Sequence, residues 1–131
     1  MYNYNAKFKK IYKENKNMKE LFKIKDLTFY EEDYQDDINE YSDIIPIIQD
    51  FADKLNYEKI VCTEINDCCN KSKDNYFIQI HGYINKEDEF ITNEEVKSFK
   101  NCLNKDELDL FVIRIYKCCD CGKWIIDILE D

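Results

Sequence analysis

Leu110-Phe111-Val112-Ile113-Arg114-Ile115-Tyr116 and Trp124-Ile125-Ile126-Asp127-Ile128-Leu129, separated by Lys117-Cys118-Cys119-Asp120-Cys121-Gly122-Lys123, decide how this chain is read. Both flanking runs are rich in β-branched and aromatic residues. Around a short turn containing Gly they predict a β-hairpin over 108–130 with Cys118 to Gly122 at its tip. Alternation places Phe111, Ile113 and Ile115 with Trp124, Ile126 and Ile128 as the expected core set, while Arg114, Tyr116 and Asp127 face outward. Cys118 and Cys121 stand three residues apart in the turn, a spacing that lets both sulfurs point at one metal. Gly122 supplies the positive φ that folds backbone N–H groups toward those sulfurs.

A second hairpin is expected upstream. Lys59 to Asn66 and Tyr76 to Ile84 alternate in the same way, and the polar run Asp67 to Asn75, with Cys68 and Cys69, joins them as a long loop. Here Ile78, Ile80 and Ile84 share one face, and Phe77, Gln79, His81 and Tyr83 share the other. Helices are expected before each hairpin. Ile44, Ile45, Ile48, Phe51, Ala52 and Leu55 form one stripe, with Asp43 as N-cap and Pro46 in the first turn. Thr92 or Asn93 caps a shorter helix through Val96, Phe99, Cys102 and Leu103, with Glu94 and Glu95 in its first turn. Phe8, Ile11, Tyr12, Met18 and Phe22 recur at helical spacing and predict a Lys-rich helix over 5–25. Tyr30 to Glu40 reads as an acidic connector.

These elements predict one α+β domain over 1–131: a basic helical N-terminal segment (1–28), then two helix-hairpin units (43–84 and 93–130). The units would form a four-stranded, mostly antiparallel sheet with helices on one face. A shift of fifty residues lays Cys68-Cys69 on Cys118-Cys119, in keeping with that repeated order. A connecting helix of about twelve residues is about 18 Å long, enough to cross the sheet. That would make the middle strands parallel and set the two hairpin tips at opposite ends.

With 131 residues, 44% hydrophobic and 15% aromatic, the chain can bury a core despite being 36% charged. No signal peptide or membrane span is read, and seven cysteines are expected to be reduced thiols or metal ligands in a cytoplasmic protein. The net charge of −9 is unevenly spread: residues 1–25 hold eight Lys against two acids, whereas 26–53 hold ten acids and no base. The two segments either neutralise each other or serve separate partners.

The Cys118–Cys121 turn, with its Gly and Lys, resembles a zinc knuckle, one half of a zinc ribbon. That resemblance implies a structural zinc bound by Cys118 and Cys121. Two further ligands are needed, and the nearest source is Cys68 with Cys69, or one of them with Cys62. If the tips lie at opposite ends, the knuckle must instead borrow His81 or bind metal across a homodimer. The competing reading is ordinary reduced thiols, with Cys62 and Cys102 buried as small hydrophobes.

Catalytic groups are sparse. His81 is the sole histidine, and a dyad with Cys62 has no third orienting residue in view. Two isolated glycines cannot make a phosphate loop, and the carboxylates of 31–43 lack the pattern of a calcium loop. Net charge argues against direct nucleic-acid binding. The chain is therefore expected to bind protein: an inhibitor, like a toxin-immunity protein or an anti-CRISPR-like phage blocker of a nucleic-acid-processing enzyme. Glu31, Glu32, Asp36 and Asp37 would steer a basic partner, and Phe77, His81, Tyr83, Arg114 and Tyr116 would supply affinity. The alternatives are a thiol- or zinc-dependent enzyme at Cys118 and Cys121, or a structural adaptor domain.

Overall fold

The computed structural model describes residues 18–98 and 108–130. Within them the chain is mostly β, which overturns the α+β layout of helix-hairpin units behind an N-terminal helix. A two-stranded hairpin, β1 (Glu20–Ile24) and β2 (Leu27–Tyr30), packs near a five-stranded sheet made of β3 (Glu58–Val61), β4 (Asp74–Ile84), β5 (Phe90–Thr92), β6 (Asp109–Cys118) and β7 (Trp124–Glu130). The helices are short: α1 (Ile45–Phe51) and α2 (Asn93–Ser98).

The helix expected over 5–25 fails at its described end, where Glu20–Ile24 is a strand; residues 1–17 lie outside the described residues. The helical spacing rests on widely separated apolar positions. Locally, Phe22 and Ile24 are buried on either side of exposed Lys23, which is a period of two. Strand pairing also lets the Phe22 and Phe29 rings stack at 4.7 Å, a contact a helix over this segment would forgo.

The sheet runs β3-β4-β6-β7, with β5 pairing β4, and every pairing is antiparallel. The expectation of parallel middle strands is thus corrected. Over the described residues the chain after Ile84 does not cross the sheet. It turns through Asn85, whose N–H donates to the Glu89 carbonyl at 3.1 Å, and β5 runs back along β4. Strand β6 then starts opposite the end of β4, at Ile84↔Asp109, and finishes at Asn75↔Cys118. Both Cys-bearing tips consequently lie at one end of the sheet.

One face of the sheet is the core. Ile78, Ile80, Ile113, Ile115, Trp124 and Ile126 meet Phe22, Ile24, Phe29, Ile44, Ile45 and Ile48. Burying each such side chain contributes about 1.5–3 kcal/mol. Trp124 is fully enclosed and ringed by Phe22, Phe29 and Tyr34 at 5.4, 5.3 and 4.8 Å. Its indole N–H donates to the Tyr30 carbonyl at 2.8 Å, so the polar end of the ring is satisfied and the hairpin is tied to β7. Farther along, the Tyr34 hydroxyl accepts the Ile126 N–H at 3.2 Å.

The helix starts are settled by local chemistry. Asp43 is exposed and is not the cap of α1; Ile44 takes that position without a side-chain bond, and Pro46 occupies the first turn. At α2 the Thr92 hydroxyl accepts the Glu95 N–H at 3.1 Å. The rest of the helix expected through Leu103, with Cys102, lies outside the described residues.

Candidate metal centre

Two turns deliver four thiols to one point. In the β6–β7 turn, the Cys118 N–H donates to the Lys123 carbonyl at 2.9 Å and the Gly122 N–H to the Cys118 carbonyl at 3.1 Å. Gly122 has φ of 81°, the left-handed conformation this closure demands. Lys117 braces the turn from within. Its Nζ donates to the Gly122 carbonyl at 2.7 Å and sits 5.1 Å from the Phe29 ring centre. Charge on this buried lysine is thereby matched to a carbonyl and a ring face.

The β3–β4 loop closes on Asn66. The Asn66 N–H donates to the Ser72 carbonyl at 2.8 Å, and the Asn70 N–H returns to the Asn66 carbonyl at 2.9 Å. Asn70 adopts a φ of 54°, a conformation Asn tolerates better than most residues. This tight turn presents Cys68 and Cys69 toward the neighbouring tip. The Cys119 N–H donates to the Asp74 carbonyl at 3.1 Å and locks the two tips together.

The sulfurs of Cys68, Cys69, Cys118 and Cys121 all lie within 4.8 Å of one another. Cys69 and Cys118 are separated by 3.8 Å, and Cys68 and Cys121 by 3.1 Å. Four thiolates at about 2.3 Å from a tetrahedral zinc stand about 3.8 Å apart, so small side-chain movements complete the geometry. The four cysteines lie close enough to bind a metal ion, and the set is compatible with zinc. Soft sulfur ligands around one point suit a single ion; an iron–sulfur cluster spreads its thiolates over separate irons.

The electrostatics favour a thiolate at the centre of the group. Burial pushes Cys118 up, but N–H groups of Cys121 and Asp120 and the Asn66 side chain outweigh it and bring the thiol down to about 6. Cys68 is raised, first by burial and then by hydrogen bonds to Cys121 and Cys118. Cys119 is not one of the four clustered thiols, and burial raises it.

Cys118 and Cys121, expected to ligate together, are brought together. The objection that Cys68 would be out of reach of Cys121 is removed by the antiparallel β4–β6 pairing. His81 is not a substitute ligand: it lies six residues along β4 from Asn75, about 20 Å at the strand repeat. The same separation breaks the Cys62–His81 dyad. Cys62 instead accepts from the Asn75 side chain at 3.3 Å, and that amide also donates to Asn66 Oδ1 at 2.9 Å. The supporting residues Asn66 and Asn75 carried no signal in a sequence where Asn is common.

The residues expected to meet a partner fall in two places. Phe77, His81, Tyr83, Arg114 and Tyr116 share the sheet face opposite the core, with Phe77 and Tyr116 rings 5.0 Å apart and His81 and Tyr83 5.8 Å apart. His81 is exposed, the others half-buried, and Arg114 pairs with Asp127 at 3.6 Å. Glu31, Glu32, Asp36 and Asp37 lie beyond β2, remote from that face in sequence. Glu31 is 4.0 Å from Lys19, Glu32 accepts the Lys19 N–H at 2.8 Å, and Asp37 caps a turn by accepting the Asn39 N–H at 3.0 Å.

No family model, curated protein or solved structure matches this chain. The four-thiol geometry shows that these cysteines could hold a metal ion; it does not confirm a zinc-knuckle motif, and no family stands behind one.

Proposed function

We propose that this chain is a protein-binding domain stapled at one end by a structural zinc, and that it inhibits a basic, nucleic-acid-processing partner. One observation carries the structural reading of the metal: the ligand set is complete. Four thiolates from two hairpin tips satisfy zinc and leave no position for water or substrate, as in closed structural sites. A thiol-dependent enzyme at Cys118 and Cys121 lacks support, because both sulfurs are committed to the same cluster and no histidine is near.

The choice of partner is supported by the acidic surface. Of the ten acids in 26–53, eight are exposed: Asp26, Glu32, Asp36, Asp37, Glu40, Asp43, Asp50 and Asp53. A solvated negative face of this kind speeds encounter with a positive one. Enzymes that grip phosphate backbones carry such positive clefts.

A panel of basic nucleases and polymerases, each assayed with and without the zinc-loaded chain, tests the proposal. Inhibition of one member that weakens with added salt is the expected result. If no enzyme is slowed at micromolar chain, or if inhibition ignores salt, the inhibitor reading fails. Metal analysis of the purified chain tests the other half, and less than half an equivalent of zinc would remove it.

A further inference from the structure

Strands β3 and β5 lie on the same edge of β4 but leave a gap between them. β3 pairs with Asp74 to Phe77 and β5 with Gly82 to Ile84. Among the described residues, nothing pairs with positions 78–81 on that edge.

The direction of the main-chain groups in the gap follows from strand alternation. The Lys73 carbonyl accepts the Cys62 N–H on the β3 side, whereas the Asp74 carbonyl accepts the Cys119 N–H on the β6 side. The β4–β6 register is unbroken from Asn75 to Ile84. Odd-numbered residues of β4 therefore turn N–H and C=O toward the β3 and β5 edge. At the far end, the Asn85 N–H bonding Glu89 agrees with that parity. Gln79 and His81 thus aim two donors and two acceptors into the gap.

A cavity of about 650 Å³ opens over these groups, walled by Phe51, Lys54 and Leu55 on one side and Asn93, Glu95 and Lys97 on the other. That volume suits a small ligand. Its rim carries both signs of charge, so net charge is not what selects an occupant. Main-chain donors and acceptors at the strand repeat are matched by one kind of molecule, another extended peptide.

We propose that the gap binds an extended segment of a partner protein, about three residues long, strand-paired to Gln79 and His81. Four open positions span about 13 Å, which admits a segment of that length. Directly opposed residues share a sheet face. The segment's residues opposite Gln79 and His81 lie on the face away from the core and can be polar. The residue opposite Ile80 points to the core side, against Phe51 and Leu55, and must be apolar. The recognised pattern is polar, apolar, polar. This site is independent of the zinc cluster and of the acidic surface, and either of those readings can fail without it.

The test uses the full, zinc-loaded, nitrogen-15-labelled chain and an acetylated, amidated pentapeptide, Ser-Thr-Leu-Thr-Ser. Expected results are shifts of the Gln79 and His81 amide signals and slowed hydrogen exchange at both. N-methylation of the two threonines should weaken binding about tenfold or more, as should Asp in place of the central Leu. Leu55→Asp, at a half-buried site whose folding a thermal melt checks, should weaken the parent peptide by a similar factor. The proposal is overturned if the Gln79 and His81 amides are already protected in the free chain, or if methylated and parent peptides bind alike. It is equally overturned if millimolar peptide moves no signal or moves signals elsewhere. Concentration-dependent shifts of these amides without peptide would assign the gap to a second copy of the chain and so remove the partner assignment.

Discussion

Asn75 lies directly opposite Cys118 in the β4–β6 ladder, and its buried side-chain amide joins Asn66 to Cys62 behind the thiols. That pairing places the Cys68 loop beside the Cys118 turn. It also orients Asn66, which helps hold Cys118 as a thiolate. Groups that orient metal ligands typically contribute 10–100-fold in affinity. Asn75→Ala should therefore weaken zinc binding roughly 10–100-fold while leaving one ion per chain at saturation, as a competition titration with a chelating dye would read. Unchanged affinity would show that the loop positions its cysteines without this amide.

The thiols divide sharply by role. Cys69→Ser or Cys118→Ser should abolish stoichiometric zinc and lower the melting temperature. Cys119→Ser and Cys62→Ser should retain the ion, because neither sulfur belongs to the cluster. A chelator should lower the melting temperature of the parent chain and barely affect Cys118→Ser. Zinc retention by Cys118→Ser would exclude the four-thiol site.

Tyr34 gives the chain an alkaline limit. Burial is the main reason its hydroxyl is raised from 10.0 to about 12. The folded state holds this proton more tightly than the unfolded state does. The resulting stability is complete below pH 10 and is lost as pH rises through about 12. Tyr34→Phe strands the buried Ile126 N–H and should cost about 1–2 kcal/mol at neutral pH. In urea melts, the gap between parent and variant should narrow from pH 10 toward 12. A constant gap would mean that Tyr34 does not titrate differently on folding.

The acidic segment can be tested in two halves. Glu31→Gln with Glu32→Gln removes the negative charges beside Lys19, whereas Asp43→Asn, Asp50→Asn and Asp53→Asn alter other exposed acids. If the acids steer a partner, both sets should slow association several-fold at low salt and converge at high salt. If they only neutralise the chain's own lysines, the first set should lower the melting temperature and neither should change the association rate. Stopped-flow mixing at two salt concentrations, with a thermal melt, separates these outcomes.

How far the sequence reached depends on the range of the interactions involved. The closing hairpin is legible because alternation, a left-handed Gly122 and a five-residue turn are all local. So were the core positions on it: Ile113, Ile115, Trp124 and Ile126 are buried as the alternation requires. The segment at 20–24 is ambiguous in sequence because Phe22 fits both a helical stripe and a strand. The short alternation at Phe22-Lys23-Ile24 favours the strand, and the stack on Phe29 with the edge contact to the distant Trp124 secures it.

By itself, the sequence determined two Cys-bearing hairpin tips and an acidic stretch without a base. The tertiary structure alone decided that the tips meet. Strand β6 begins opposite the end of β4, at Ile84↔Asp109, a pairing with no local signature in the sequence. That antiparallel pairing brings Cys68 within 3.1 Å of Cys121, 53 residues apart. Strand β5 also stops short of β3 and, among the described residues, leaves Gln79 and His81 facing an open edge. Strand periodicity says which way a side chain points; only the assembled sheet says what lies beside it.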